Sequence, residues 1–322
     1  LHGCRAGPGC ANALALALHR RGDDSHHGVQ AMAGKADLSG KLVTVLGGSG
    51  FVGRHLAQEL LARGARLRVA CRRTEVAGRI KPLGNLGQVQ LARCDMTDAE
   101  SIARVVAGSD LVVNLVGAFS GDLDAVQGSG AGRAAAAAAA AGASAFVHVS
   151  AIGADAEGAT AYARSKAAGE AAVLAAFPTA TVLRPSVLFG PDDQFLNLFG
   201  GLIALFPVIP VFAPQAKFQP LFVDDLAEAI ANALVDPAAH GGTTYELGGP
   251  EQISVLDLNQ RIAAAAERKV LLAEMPDGLS GLFATLTGWL PGAPLSRQQW
   301  QLLRAGNVAS GQHPGIEALG VR

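Results

Sequence analysis

The chain carries no excess of either charge: among 322 residues, 26 Lys and Arg stand against 27 Asp and Glu, for a net charge of -1. That balance excludes the global basic field by which proteins capture nucleic acid, and the strong acidity that keeps a chain disordered. Cysteine is scarce. Of four, Cys4 and Cys10 fall in a leading segment unlike the rest, and Cys71 and Cys94 fall at expected strand ends. This is no disulfide framework, so a reducing compartment and two buried free thiols are expected. A membrane span is missing too. The longest apolar stretch, 196–212, falls short of the roughly 20 residues that cross a bilayer, and Gly200, Gly201, Pro207 and Pro210 interrupt it. No methionine precedes Met32, and residues 1–40 hold four of the eight histidines. That segment is read as a leader or upstream extension, expected to be disordered, with a faint likeness to a mitochondrial transit peptide from Asn12 to Arg21.

What the chain does have is alternation. Apolar runs at 42–46, 67–71, 89–94, 111–116, 145–149 and 181–183 read as strands, and 51–63, 98–107, 122–141 and 161–176 read as helices. Strands apolar on both sides, alternating with helices, predict a parallel sheet covered on both faces. Its crossovers are right-handed, giving a doubly wound α/β domain over 41–186. The alanine run Ala134–Ala141 is a good helix former with side chains small enough for close packing, and it inflates the mean hydropathy of +0.29. From about residue 187 the pattern loosens. A helix over 222–235, a strand over 243–247 and a helix over 254–266 predict a small C-terminal α/β cap, 187–322, packed on the first domain and sharing its sheet. Residues 278–310 are more apolar than a solvated terminus requires, and they dock on the cap, on a partner or on a membrane surface.

The first strand empties into Gly47-Gly48-Ser49-Gly50-Phe51-Val52-Gly53. Strand, glycine turn and helix in this order suit a dinucleotide. Gly47 serves the tight turn, Gly50 the approach of backbone to a pyrophosphate, and Gly53 the packing of helix on strand. The helix N-terminus would hold the phosphates. Where a fold that prefers NAD places an acidic residue, the second strand ends in Arg72 and Arg73, whose guanidiniums suit a 2′-phosphate. NADP(H) is therefore expected over NAD(H), with Glu75 a dissenting signal. Asp95-Met96 closes the third strand, where a carboxylate can accept from an adenine amino group. Asn114-Leu115-Val116-Gly117 closes the fourth, beside the nicotinamide-side ribose.

Ser150 ends the fifth strand, and Tyr162 and Lys166 lie four apart on the helix that follows, sharing one face. A lysine beside a phenol favours the phenolate and is expected to lower its pKa. Ser150 would then bond a substrate oxygen while Tyr162 gives or takes the proton. His148 is read as a strand residue without a role.

The glycine spacing, the Ser150/Tyr162/Lys166 set and residues 184–191 resemble the extended and atypical branches of the short-chain dehydrogenase/reductase superfamily. More narrowly, residues 47–54, Phe189–Asn197, Phe218–Asp225 and the tail from Pro294 to Val308 resemble the nucleotide-binding accessory subunit of respiratory complex I and its bacterial relatives. The superfamily likeness runs from Lys41 to about Ala266. It implies a Rossmann fold binding NADP(H) through Gly47, Ser49, Gly50, Phe51, Val52, Gly53, Arg72, Arg73, Asp95, Met96, Leu115, Val116, Gly117, Tyr162, Lys166 and Pro185. The narrower likeness implies a tightly held nucleotide and a role in assembling or stabilising respiratory complex I or another membrane-associated assembly. The place would be cytoplasmic and peripheral on an inner membrane in a bacterium, or the matrix side of the mitochondrion. Gly306 departs from the acidic residue that such relatives tend to carry. The alternative is a soluble NADP-dependent oxidoreductase or epimerase acting on a small carbonyl or sugar-nucleotide substrate, with Phe189, Phe195, Leu198 and Phe218 expected around its pocket. No metal is expected in either case.

Overall fold

The computed structural model of the chain describes residues 37–193, 195–278, 280–281 and 297–321. The leader through residue 36, including Cys4, Cys10 and Met32, and the apolar positions Leu282 to Leu290 lie outside the described residues. The first six strands are β1 (Leu42–Leu46), β2 (Arg66–Cys71), β3 (Val89–Arg93), β4 (Leu111–Asn114), β5 (Ala145–Val149) and β6 (Thr181–Pro185). After them come β7 (Leu188–Phe189), β8 (Val208–Phe212), β9 (Lys217–Phe218), β10 (Leu221–Phe222), β11 (Thr244–Leu247), β12 (Ile253–Ser254) and β13 (Leu271–Met275).

Seven strands form one sheet in the order β11-β6-β5-β4-β1-β2-β3, every pairing parallel. The order reverses at β1, which has β2 on one side and β4 on the other. That topological switch point is where a doubly wound sheet opens a crevice beyond its carboxyl ends. One face is covered by helices Ala99–Val106, Ser129–Ala140 and Ala161–Ala176, around a core that includes Leu46, Ile102, Val105, Phe146 and Val173. Helices Phe51–Ala62 and Val223–Val235 pack on each other and against β2 and β5. The helix Ser129–Ala140 that carries most of the alanine run buries Ala131, Ala134, Ala135 and Ala138, and an added Cβ at Gly132 would stand 2.7 Å from Ala172 Cβ. Small side chains are what let these two helices approach.

Contacts divide the chain into two compact units that interleave rather than meet at one cut near residue 186. The sheet unit runs through Pro185 and takes back Val223–Leu247 and the residues from Ser310 on. Its edge strand β11 is fastened at Glu246, whose backbone N–H donates to Pro314 O at 3.1 Å and whose Oε2 accepts from Ser310 N and Oγ at 2.6 and 2.7 Å. Arg184 holds the same carboxylate and makes a two-pronged bond to Glu170 at 2.9 and 2.6 Å.

The second unit comprises Ser186–Phe222 and Gly248–Ala309. Short pairs β7/β10, β9/β12 and β8/β13 surround a core of Phe189, Leu196, Ile203, Ile209, Leu258 and Ile262. Buried Asp193 starts its helix Phe195–Leu205 by accepting from Leu196 N at 2.6 Å. Phe189 and Phe218, expected around a pocket, are core residues of this unit, whereas Leu198 is exposed. Of the apolar tail, Leu303 packs on the cluster of Val211, Phe218 and Val255, and Asn307 binds Ser186 Oγ and Val187 N through its Oδ1. Gly306 has φ of +74°, and a Cβ there would stand 2.8 Å from Lys217 O, so the departure from an acidic residue fits a backbone that strongly favours glycine.

Candidate functional site

The glycine turn follows β1 at the switch point. Gly47 takes φ of +77°, donates its N–H to Ala70 O at 2.8 Å, and would bring a Cβ to 3.0 Å from Val116 Cγ2. At Gly53 an added Cβ would run into the Gly48 carbonyl, so the helix Phe51–Ala62 can sit on the turn only as glycine. Gly50 differs: a Cβ there meets only Gly47 O, at 3.5 Å, and the residue is exposed. Among the described residues no side chain caps this helix start. Its first N–H groups and dipole therefore present a cradle of donors at the open edge, formed by Ser49, Gly50, Phe51 and Val52, which fits a pyrophosphate. The Phe51 ring meets His55 edge-on at 5.3 Å, and His55 Nδ1 bonds Asp224 Oδ1 at 2.6 Å.

Beside it, at the carboxyl ends of β2 and β3, opens a cleft of about 360 Å³ lined by Arg72, Arg73, Arg93, Cys94 and Asp95. Arg93 pairs with Cys71 in the sheet register, which brings a third guanidinium to the two expected from sequence. Nothing in the second-strand reading pointed to it; a basic residue closing the third strand was the available signal. Asp95 uses Oδ1 to accept from Thr97 N and Oγ1, at 2.9 and 2.8 Å, and these bonds hold its carboxyl below the ordinary range. The Met96 side chain is buried in the core, and its carbonyl accepts from Arg133 Nε and Nη2. Cys94 is buried enough for its thiol to be pushed up to about 11.

On the other flank, Leu115 N bonds Leu46 O at 2.9 Å, Val116 N bonds Asn114 Oδ1 at 3.1 Å, and Gly117 would place a Cβ 3.5 Å from Lys166 Nζ. Gln127, fully buried in a single π-helical turn over Asp124–Gly128, accepts from Ala118 N at 2.9 Å and donates to Ser165 Oγ at 2.7 Å. It thus fastens the loop after β4 to the helix that carries Tyr162 and Lys166. Sequence gave no sign of this residue, which reads as part of a continuous helix.

Lys166 reaches the end of β5 beside Ser150, and Tyr162 lies one turn before it on the same helix. Ser150 N donates to Leu183 O at 2.7 Å, and its Oγ is buried without a partner among the described residues. Lys166 Nζ is buried, donates to Val149 O at 3.2 Å, and lies 6.0 Å from the Tyr162 ring centroid. Pro185, buried at the end of β6, accepts from Ile152 N at 3.1 Å. The expected lowering of the Tyr162 pKa is corrected: burial pushes it up to about 12, and burial pushes Lys166 down to about 8. Desolvation outweighs a lysine that is not in bonding reach. The Tyr162 ring is itself stacked under exposed Phe119, centroids 4.8 Å apart and planes 13° from parallel, a neighbour the sequence did not announce. Among the described residues no group of three His, Cys, Asp or Glu side chains is placed to hold a metal, and no helix is long and apolar enough to cross a membrane.

Residues 43–248 match the model of the NAD dependent epimerase/dehydratase family. The chain is 36% identical over 241 residues to "NADH dehydrogenase [ubiquinone] 1 alpha subcomplex subunit 9, mitochondrial" of Arabidopsis thaliana, covering 72% of this chain and 60% of that protein. It is 30% identical over 308 residues to the protein of the same name from Mus musculus, covering 92% of this chain and 81% of that one. With the "Ceramide reductase" of Caulobacter vibrioides it shares 35% identity over 191 residues, 58% of each. The chain thus spans about six tenths of the plant protein's length.

Proposed function

The chain belongs to the NAD dependent epimerase/dehydratase family, and from that premise we propose that it is an NADP(H)-holding accessory or assembly subunit of respiratory complex I, peripheral to the membrane. Family membership carries NAD(P) binding. The finer choice of NADP(H) rests on one observation: β2 ends in Arg72 and Arg73 rather than an acidic residue, and Arg93 joins them in one cleft with Asp95. Three cations there suit a 2′-phosphate, each able to form charge-assisted bonds to its oxygens. Gly47, Ser49, Gly50, Phe51, Val52 and Gly53 would hold the pyrophosphate. Leu115, Val116, Gly117, Tyr162, Lys166 and Pro185 would surround the nicotinamide end, while Asp95 and the backbone at Met96 would meet the adenine. The subunit role draws on the plant and mouse relatives, whose name places them in a mitochondrial NADH dehydrogenase. In a bacterium the corresponding place is the cytoplasmic side of the inner membrane, and in a eukaryote the matrix side.

A second reading has its own support. Ser150 Oγ is buried without a partner among the described residues, Lys166 bonds the carbonyl of neighbouring Val149, and one relative is named a reductase. Bound NADPH would supply a hydride. Ser150 would then donate to a substrate oxygen, and Tyr162 would deliver the proton to it. Lys166 would stabilise the phenolate left behind.

Comigration separates the two. Tagged full-length chain should run with the assembled complex on a native gel of solubilised respiratory membranes, and Tyr162→Phe should leave that band unchanged. A chain that never comigrates, together with carbonyl reduction abolished by Tyr162→Phe, would favour the second reading.

A further inference from the structure

Behind the glycine turn lie two fully buried polar side chains that the readings above leave unused: Asn114, the last residue of β4, and His148, opposite it in β5. Their hydrogen bonds fix which atom is which. The Val116 backbone N–H can only donate, so the side-chain atom it reaches at 3.1 Å is the Asn114 oxygen, Oδ1. The amide Nδ2 then faces His148 Nδ1 at 3.2 Å. Because Nδ2 can only donate, Nδ1 must accept, and the ring proton belongs on Nε2, which is buried without a partner among the described residues. A proton on Nδ1 would confront the amide N–H, so the imidazole stays neutral. Burial and the Lys166 ammonium press its pKa the same way, down to about 3.

The pair has a mechanical consequence. Val116, tied by its N–H to Asn114, forms the wall against which Gly47 turns: a Cβ at Gly47 would lie 3.0 Å from Val116 Cγ2 and 3.2 Å from Val116 N. We propose that His148 and Asn114 are positioning residues for the nucleotide turn. His148, as a neutral acceptor, orients the Asn114 amide, Asn114 holds the Val116 backbone, and Val116 keeps Gly47 at its left-handed φ. Neither side chain touches the nucleotide. The proposal rests on the reading that NADP(H) lies across this turn.

The test is calorimetric titration of the full chain with two ligands: NADPH, which spans the turn, and 2′-AMP, which reaches only the arginine cleft. Loss of one oriented buried bond predicts that His148→Leu weakens NADPH about tenfold and leaves 2′-AMP binding unchanged. His148→Asn, which returns an acceptor to Asn114 Nδ2, should recover NADPH affinity to within about threefold of the parent. Where His148→Leu does not fold, Asn114→Ala carries the same expectation, since it removes the acceptor for Val116. Equal losses for both ligands would overturn the relay, because they signify general loosening. So would an NADPH affinity untouched by these variants, or no recovery in His148→Asn. Unsubstituted protein that binds 2′-AMP but not NADPH, or neither, would overturn the NADP(H) reading beneath it, and the relay with it.

Discussion

At the scale of single residues, the proposed preference for NADP(H) rests on Arg72, Arg73 and Arg93 around one cleft. Hydrogen bonds to charged groups contribute about 1.5–3 kcal/mol each, so the double variant Arg72→Ala/Arg73→Ala should weaken NADP(H) about a hundredfold and NAD(H) about threefold at most. Competitive titration of the two nucleotides reads this directly, and equal losses would remove the arginines from 2′-phosphate recognition. Lys166 makes a prediction through pH. Burial lowers its pKa to about 8 in the folded chain, from 10.5 as a free side chain. Between those values the unfolded chain binds more protons than the folded one, so this residue makes stability rise with pH across the window. Urea unfolding of Lys166→Met should show a flatter rise there; an unchanged slope would mean that the ammonium is solvated. These two sites also differ in legibility. Arg72 and Arg73 could be read because a strand end fixes where side chains go. The Tyr162 phenol could not, because its pKa depends on how much protein covers it, and the covering ring of Phe119 comes from a loop with no pattern of its own.

At the scale of elements, strands β1 to β6 and the helices Phe51–Ala62, Ala99–Val106 and Ala161–Ala176 were readable to within about two residues, because apolar runs alternate with helical stretches that open on a cap or a glycine. Asp98 and Thr160, for example, accept from the first-turn amides of their helices. The helix expected over 122–141, by contrast, begins at Ser129, and the short helix Val76–Leu83 between β2 and β3 was not read. The second unit was not readable in this way. Strands β7, β9, β10 and β12 are two residues long, too short to show a period, and the helix Phe195–Leu205 carries no charge, so it reads as an undifferentiated apolar stretch. The π-helical turn that places Gln127 is invisible for a related reason: its residues continue the helical pattern of the run that follows. Edge strand β11 carries a stability prediction. Buried Glu246 receives exposed Ser310 and faces half-buried Arg184. Arg184 keeps its bonds to Glu170, so Glu246→Gln removes only the charge-assisted bonds from Ser310 and the longer contact to Arg184; it should lower unfolding stability by about 1.5 kcal/mol and speed hydrogen exchange in residues 310–321. An unaffected midpoint would show the strap to be dispensable.

At the scale of the whole molecule, the chain returns to its first unit after building its second, which a left-to-right reading divides at one point. The helix Val223–Val235 and strand β11 look from sequence like parts of a cap, yet they complete the sheet unit. The glycine turn, the arginine cleft and residues Ser150, Tyr162 and Lys166 all lie in the first unit. On the function proposed above, this chain holds NADP(H), and a nucleotide that binds only the folded state would raise stability by mass action. The most direct measurement is the nucleotide released on denaturing freshly purified full-length protein, identified by mass spectrometry and quantified per chain. NADP(H) near one equivalent is the expected result; protein that releases NAD(H) in its place, or no nucleotide and shows no affinity for added NADPH, would contradict it.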